Sequence, residues 1–362
     1  MSPVTSPSER LRALLAGARA LVDPSTSLGV RARRELPAST GLSPEGVELA
    51  LRSCLEHSPG ADEVAALLAS VTPSRRAHVL LPGNVFVAAH RAIALALATG
   101  GEVQVRASRR EPVMARLLCE ASGQLFRIVE TLSPEPGDQL WAYGSDATLD
   151  ELGASLRSGV RVHAGGHGYG VVVVEGDVVP AGAPSAERRA GICRGIARDV
   201  ALFEQRGCLS PRIVLCRGSV EWVRELAVEL SIALAAEERR IPLGRLGDDE
   251  LAERRRYEQS VRYLGELLPA GSGVVGLVVE GDAVLCPPAG RHLHVARVAS
   301  LRASLGHIAH EIVSVGVAGG EALRVELASL LPAARLAEPG QMQRPPFDGP
   351  VDRRPPREQA RR

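Results

Sequence analysis

The chain has 362 residues, 45% of them hydrophobic and only 3% aromatic, with a net charge of +1. That is enough for two domains with aliphatic cores, and the charge is too balanced for a large nucleic-acid footprint, which needs a concentrated basic face. No stretch reaches transmembrane length, the N-terminus lacks a signal core, and the six cysteines show no CxxC spacing; a cytoplasmic protein with reduced thiols is the expectation.

All 43 basic residues are arginine, and the nine histidines form no zinc-site spacing. His307 and His310 stand three apart on a candidate helix but bring no third ligand, so no metal is expected.

Residues 1–75 read as helical. "SERLRALLAGARALV" and "SPEGVELALRSCLE" each open with serine and an acid close behind, and apolar residues recur at helical spacing. "AHVLLPGN" is then a buried strand, "VFVAAHRAIALALATG" a helix with a glycine stop, and "GEVQVRAS" a second strand, together a unit of the length a parallel crossover needs. "REPVMARLLCEASG", "DQLWAYGSD", "ATLDELGASLRSG", "VRVHAGG" and "YGVVVVEGD" continue the alternation. Strands without polar alternation belong to a sheet covered on both faces, so the first half is a doubly wound α/β domain. The helical run "SAERRAGICRGIARDVALFEQ" leads to Cys208, and a second α/β region follows. There "PRIVLC" is a strand, "SVEWVRELAVELSIALAAEERR" a helix, "GVVGLVVEGDAVLCPPAG" paired strands around a Gly-Asp turn, and "RHLHVARV" a further strand. The expected domains are 1–205 for the N-terminal helices and NAD(P)-binding domain, 206–315 for the catalytic domain, 316–345 for a return segment and 346–362 for a flexible Pro/Arg-rich tail.

Ligands in open α/β sheets bind beyond the carboxyl ends of the strands. Gly83-Asn84 and Gly144-Ser145 sit at such ends, where following amides receive an anion and Asn84 offers an oxyanion donor. "GGHGYG" is a third glycine-rich corner. Neither a GxGxxG fingerprint nor a P-loop is present. Cys208, between Gly207 and "LSP", is the sharpest candidate: space around the thiol and nearby arginines suit a nucleophile, whereas a buried small hydrophobe is the plain alternative.

Four segments, in order, resemble the acyl-CoA reductase branch of the aldehyde dehydrogenase superfamily, which includes the fatty acid reductase of bacterial luminescence systems. They are "HVLLPGNVFVAAHRAIALALATGGEVQVRASRREP", "WAYGSDATLDEL", "RDVALFEQRGCLSPRIVLC" and "GQMQRPPFDGP", and the match spans most of 75–350. The resemblance implies an aldehyde dehydrogenase-like fold, with a doubly wound cofactor-binding domain and an α/β catalytic domain. It makes Cys208 the acyl-accepting nucleophile and Asn84 the oxyanion donor, with Arg106, Ser108, Gly144 and Ser145 against the dinucleotide.

Arg106 stands where lysine is usual, and Phe347 where histidine is common. "GGHGYG" replaces the segment in which hydrolytic relatives carry a water-activating glutamate, which suits reduction of an acyl-enzyme. The implied reaction is NADPH-dependent reduction of an acyl-CoA to an aldehyde. NADH is the alternative cofactor, and Arg106, Arg109 and Arg110 are suited to a 2′-phosphate. Rival readings are reduction of a carrier-bound thioester or acyl phosphate, or an inactive scaffold. A homo-oligomer and an acyl-transferring partner protein complete the expectations.

Overall fold

A computed structural model describes residues 6–176, 185–281 and 284–355. They fall into two compact units: one holds the chain up to His167 together with Pro346–Val351, the other Gly168–Pro345 together with Asp352–Arg354.

The first unit opens with four helices, α1 (Pro7–Val22), α2 (Ser27–Thr40), α3 (Pro44–Cys54) and α4 (Ala61–Ala69). The α1 cap is Ser6, not Ser8: its hydroxyl accepts from the Glu9 N–H while the Glu9 carboxylate accepts from the Ser6 N–H, a reciprocal capping box. Then come β1 (Arg76–Leu80), α5 (Ala88–Ala98), β2 (Glu102–Arg106), α6 (Val113–Ala121), β3 (Arg127–Ile128), β4 (Gln139–Tyr143), α7 (Asp146–Ser155) and β5 (Arg161–Gly165). The five strands form a parallel sheet in the order β3-β2-β1-β4-β5. From Ala89 to Ala98, α5 is buried on every side, and its alanines let it lie close between sheet and helices.

In the second unit β6 (Tyr169–Glu175), α8 (Ser185–Ala201), β7 (Pro211–Arg217), α9 (Val220–Arg240), α10 (Asp248–Leu264), β8 (Glu266–Ala270), β9 (Gly273–Val278), β10 (His292–Arg297), α11 (Leu301–Gly306), β11 (Ile312–Ala318), α12 (Glu321–Leu330) and β12 (Arg335–Ala337) follow in order. Their seven-stranded sheet runs β12-β11-β6-β7-β10-β9-β8, with only β8 antiparallel. Val172, Val174, Val214 and Leu230 belong to one apolar cluster and Val171, Val173, Ile213 and Leu323 to another. Successive residues of one strand fall in different clusters because their side chains point to opposite faces.

The architecture is the expected two-domain aldehyde dehydrogenase-like fold, with several local differences. The division lies at His167/Gly168 instead of near 205, because β6 is a central strand of the second sheet, paired with β7 and β11. The run ending in Gln205 is helical only to Ala201. The tight pairing expected at Gly281-Asp282 forms instead at Gly271-Ser272, joining β8 and β9; Asp282 and Ala283 lie outside the described residues. Pro269 hides β8 from a sequence reading, yet an edge strand tolerates a residue without an N–H. The expected flexible tail is anchored in part: Phe347 is 2% exposed and Gly349 is buried, while Pro346, Pro350, Arg353 and Pro355 are exposed; 356–362 lie outside the described residues. His307 and His310 do not share a helix, since α11 ends at Gly306 and a 3-10 turn spans Ala309–Glu311.

Candidate active site

Between α8 and β7 the chain makes an unusual turn. Phe203, Glu204 and Gln205 adopt φ of 55°, 53° and 59° in succession, left-handed geometry that costs about 1–2 kcal/mol for each residue with a Cβ. Buried polar contacts hold it. The Glu204 carboxylate pairs with the Arg291 guanidinium at 2.9 and 3.2 Å and accepts from the Gly244 N–H at 3.0 Å. The Gln205 amide donates to the carbonyls of Pro211 at 2.9 Å and His292 at 2.7 Å and accepts from the His292 N–H at 2.8 Å. It thereby stitches the start of β7 to the start of β10.

Cys208 follows at once. The Ser210 N–H donates to the Gly207 carbonyl at 3.1 Å, so Cys208 rides on a tight turn directly ahead of β7. The turn lies flat against β6: the Gly170 N–H donates to the Ser210 carbonyl at 2.8 Å, and a Cβ at Gly170 would stand 2.6 Å from the Leu209 oxygen. The Gln343 amide donates to the Ser210 hydroxyl at 3.0 Å and to the Asp199 carbonyl at 3.3 Å. Asp199 itself accepts from the Gly340 N–H at 2.6 Å, fastening the "GQMQ" segment onto α8. In this unit the nucleophile candidate is therefore at the amino edge of a parallel sheet.

Cys208 is part-exposed. Burial of the thiol, then the Asp352 carboxylate, push its pKa up to about 11, while Arg354, its own backbone N–H and Arg335 pull the other way. The expected lowering by arginines close in sequence is not found: the arginines that pull down are the distant Arg354 and Arg335, and they are outweighed. The adjacent Arg206 is engaged elsewhere, with Glu250 at 2.7 Å and the Arg245 carbonyl at 2.7 Å. Asp352, Arg354 and Arg335 are neighbours that sequence reasoning missed; the one signal was the acid followed by two arginines in "VDRRPP".

Cys54, Cys193 and Cys216 are buried, and burial pushes the Cys193 thiol up to about 12. These thiols are core.

The other candidates gather along the carboxyl edge of the first unit's sheet. Asn84 is exposed in the loop after β1, separated from α5 by a turn in which the Ala88 N–H donates to the Val85 carbonyl. Arg106 ends β2, and Ser108 follows it. Gly83 and Ser108 are brought together: a Cβ at Gly83 would lie 2.4 Å from the Ser108 hydroxyl and 3.1 Å from the Arg110 Cβ. Gly144 closes β4, donating to the Gly165 carbonyl at 3.3 Å. Ser145 caps α7, accepting from the Thr148 N–H at 3.3 Å. The first turn of α7 already holds an acid, Asp146, which accepts from the His167 N–H at 3.0 Å. That carboxylate offsets the positive end of α7, so an anionic group is better received at the β1 and β2 ends. Ser108 and the exposed Arg109 and Arg110 there suit a nucleotide phosphate, and the missing Gly83 side chain leaves room for the Ser108 hydroxyl at that corner.

Phe347 lies in the first unit. It packs against the His90 ring at a centroid distance of 5.6 Å and under the Arg91 guanidinium at 5.3 Å, and Arg91 donates to the carbonyls of Pro346 at 2.7 Å and Gly349 at 2.9 Å. A phenyl ring so placed anchors the segment and cannot relay a proton.

Among the described residues, no helix is long and apolar enough to cross a membrane, and no group of three or more His, Cys, Asp or Glu is arranged to hold a metal ion.

Among solved structures, the chain resembles a NAD-dependent benzaldehyde dehydrogenase from Corynebacterium glutamicum, with a TM-score of 0.68 at 14% identity over 92% of this chain and 80% of that one. It also resembles a propionaldehyde dehydrogenase from Rhodopseudomonas palustris, solved with bound CoA and an acylated cysteine, with a TM-score of 0.59 at 14% identity over 93% and 84%. A third is the NADP-dependent glyceraldehyde-3-phosphate dehydrogenase from Bacillus halodurans complexed with NADP, with a TM-score of 0.64 at 13% identity over 93% and 79%. Identities this low establish the fold alone. No curated protein matches the sequence. The family model for acyl-CoA reductase (LuxC) matches residues 69–352, taking in both units, and the chain belongs to the acyl-CoA reductase (LuxC) family.

Proposed function

We propose that this enzyme reduces an acyl-CoA thioester to the aldehyde with NADPH, through an acyl group held on Cys208. The observation that carries the reading is the turn itself: a part-exposed cysteine follows three left-handed residues that buried hydrogen bonds hold in place. Such strain is kept where function requires it. Family membership supports the acyl-CoA donor, and the acylated cysteine of the Rhodopseudomonas palustris relative is consistent with covalent chemistry.

In the proposed sequence the Cys208 thiolate attacks the acyl carbonyl carbon, and Asn84 supplies a donor to the oxygen as it gains charge. Collapse of that adduct breaks the bond to CoA sulfur, and CoA leaves as the thiolate, taking a proton from water. The acyl group then rests as a thioester on Cys208. A nicotinamide held by the residues named below would supply hydride to the acyl carbon, and Cys208 would leave as the thiolate, freeing the aldehyde. No carboxylate occupies positions 165–168, where a hydrolytic relative would activate water, so the thioester is spared for reduction.

Gly83, Arg106, Ser108, Gly144 and Ser145 would hold the dinucleotide. The preference for NADPH rests on Arg106, Arg109 and Arg110 as partners for a 2′-phosphate. A cytoplasmic location, a homo-oligomer and an acyl-delivering partner remain part of the proposal, and light scattering tests the second of these. The test of the reaction is acyl-CoA-dependent NADPH oxidation across a series of chain lengths, in wild type and Cys208→Ala. Turnover in wild type that is abolished in the variant, with nucleotide binding retained, is the expected result. Turnover retained in Cys208→Ala would overturn the reading, and turnover with acyl phosphates or carrier thioesters alone would replace the donor.

A further inference from the structure

The last segment of the second unit, Asp352–Arg354, lies at the amino edge of its sheet. Their two outer side chains are clamped together. The Asp352 carboxylate accepts from the Arg354 Nε at 2.9 Å, its Nη2 at 2.7 Å and its backbone N–H at 3.0 Å. Arg354 also donates to the His310 carbonyl at 2.8 Å. Its guanidinium lies over Gly168, where an added Cβ would come within 2.8 Å of Nη2. Two residues further on, Gly170 bonds to the carbonyl of Ser210. The register of β6 against the cysteine turn therefore carries the clamp to Cys208.

We infer that Asp352 and Arg354 belong to the Cys208 site as positioning residues, forming a strap across the amino edge of the sheet whose paired charges face the cysteine turn. Both side chains are largely buried, Arg354 at 13% and Asp352 at 15% exposure, so water screens them little. The charged groups acting on the thiol are these two and Arg335 at the start of β12. At the same sheet edge Tyr169, Cys286, Glu311 and Arg212 face one another, and the exposed His310 imidazole approaches Glu311 at 3.9 Å.

Opposite signs are the signature. Replacing Asp352 removes an opposing charge and leaves Arg354 held by the His310 carbonyl; replacing Arg354 leaves the Asp352 charge uncompensated. A strap with a purely structural role would loosen in both variants and expose the thiol in both. The functional meaning rests on Cys208 being the nucleophile, but the thiol chemistry can be read independently of turnover.

The experiment follows reaction of Cys208 with a pyridyl disulfide between pH 7 and 10 in full-length wild type, Asp352→Asn, Arg354→Gln and Arg354→Lys. Cys208→Ala serves as the blank, and peptide mass distinguishes Cys208 from the exposed Cys286. A one-unit change in ionisation alters the thiolate fraction about tenfold, and the compensating change in nucleophilicity leaves about threefold in rate at fixed pH. Asp352→Asn is expected to react about threefold faster than wild type, Arg354→Gln about threefold slower, and Arg354→Lys near wild type. Equal rates in wild type, Asp352→Asn and Arg354→Gln, or a change in the same direction in both variants, would overturn the inference; if Arg354→Gln does not fold, Asp352→Asn against Arg354→Lys decides. Retained turnover in Cys208→Ala with these shifts intact would sink the nucleophile reading and leave the strap standing. Lost turnover with unmoved rates would do the reverse.

Discussion

Gln205 offers the sharpest test of how the cysteine turn is held. Its side chain is fully buried and makes three hydrogen bonds, to the Pro211 carbonyl, the His292 carbonyl and the His292 N–H. Gln205→Ala leaves those groups without a partner and keeps the left-handed backbone. An unsatisfied buried backbone group costs about 1–3 kcal/mol, the donor more than the carbonyls, so the total is about 3–5 kcal/mol. Gln205→Gly loses the same bonds but relieves the φ of 59°, returning about 1 kcal/mol. The glycine variant should therefore be the less damaged of the two, although glycine ordinarily destabilises. Urea unfolding followed by tryptophan fluorescence, with acyl-CoA turnover on the folded protein, measures both effects. A displacement of the thiol by about 1 Å is enough for a hundredfold loss of rate, so turnover should fall further than stability alone implies. A Gln205→Ala protein within about 0.5 kcal/mol of wild type, a scale typical of surface substitutions, would refute the reasoning.

Three further outcomes follow from the same geometry. Gly83→Ala drives a Cβ into the Ser108 hydroxyl, and NADPH binding, read by its fluorescence, should weaken about tenfold, about 1.4 kcal/mol; an unchanged Kd would remove the β1–β2 corner from the cofactor site. Phe347→Ala empties a buried site beside His90 and Arg91, at a cost of about 3–5 kcal/mol in urea unfolding; a loss below about 1 kcal/mol would return this segment to a loose tail. Burial lifts the Asp199 carboxyl to about 7, so between the ordinary aspartate range and that value the folded chain keeps a proton the unfolded chain has released. Its contribution is full in acid, declines by about 1.4 kcal/mol per pH unit through that window and is constant above it. Asp199→Asn lacks this slope, and parallel stability curves for the two proteins between pH 4 and 8 would contradict the assignment.

The parallel strands were legible because both faces of each sheet are covered: "HVLL", "LWAY" and "VVVV" read as continuous apolar runs and became β1, β4 and β6. Which sheet a strand joins is not written in such a run, and β5 and β6, only three residues apart, went to different units. Helix α10 carries charge on most faces and only Tyr257 and Val261 buried, so its apolar stripe is too thin to announce itself. The Cys208 turn was legible in its glycine, cysteine and Ser-Pro, but its left-handed entry was not, because phenylalanine, glutamate and glutamine carry no local preference for that geometry. Its partners are mostly remote: Gly244 lies forty residues on, and Arg291 and the β10 backbone more than eighty. A still greater distance in sequence separates Cys208 from Asp352 and Arg354, whose place follows from Gly168 and His310 and not from any motif.

The central claim is a covalent acyl group on Cys208, and intact-protein mass after mixing with an acyl-CoA in the absence of nicotinamide cofactor tests it most directly. The expected result is one added acyl group, mapped to the Cys208 peptide, with an equivalent of CoA released, removed by NADPH as aldehyde and absent from Cys208→Ala. An acyl group that maps to another residue, or NADPH-dependent aldehyde formation with no mass change on Cys208, would contradict the account.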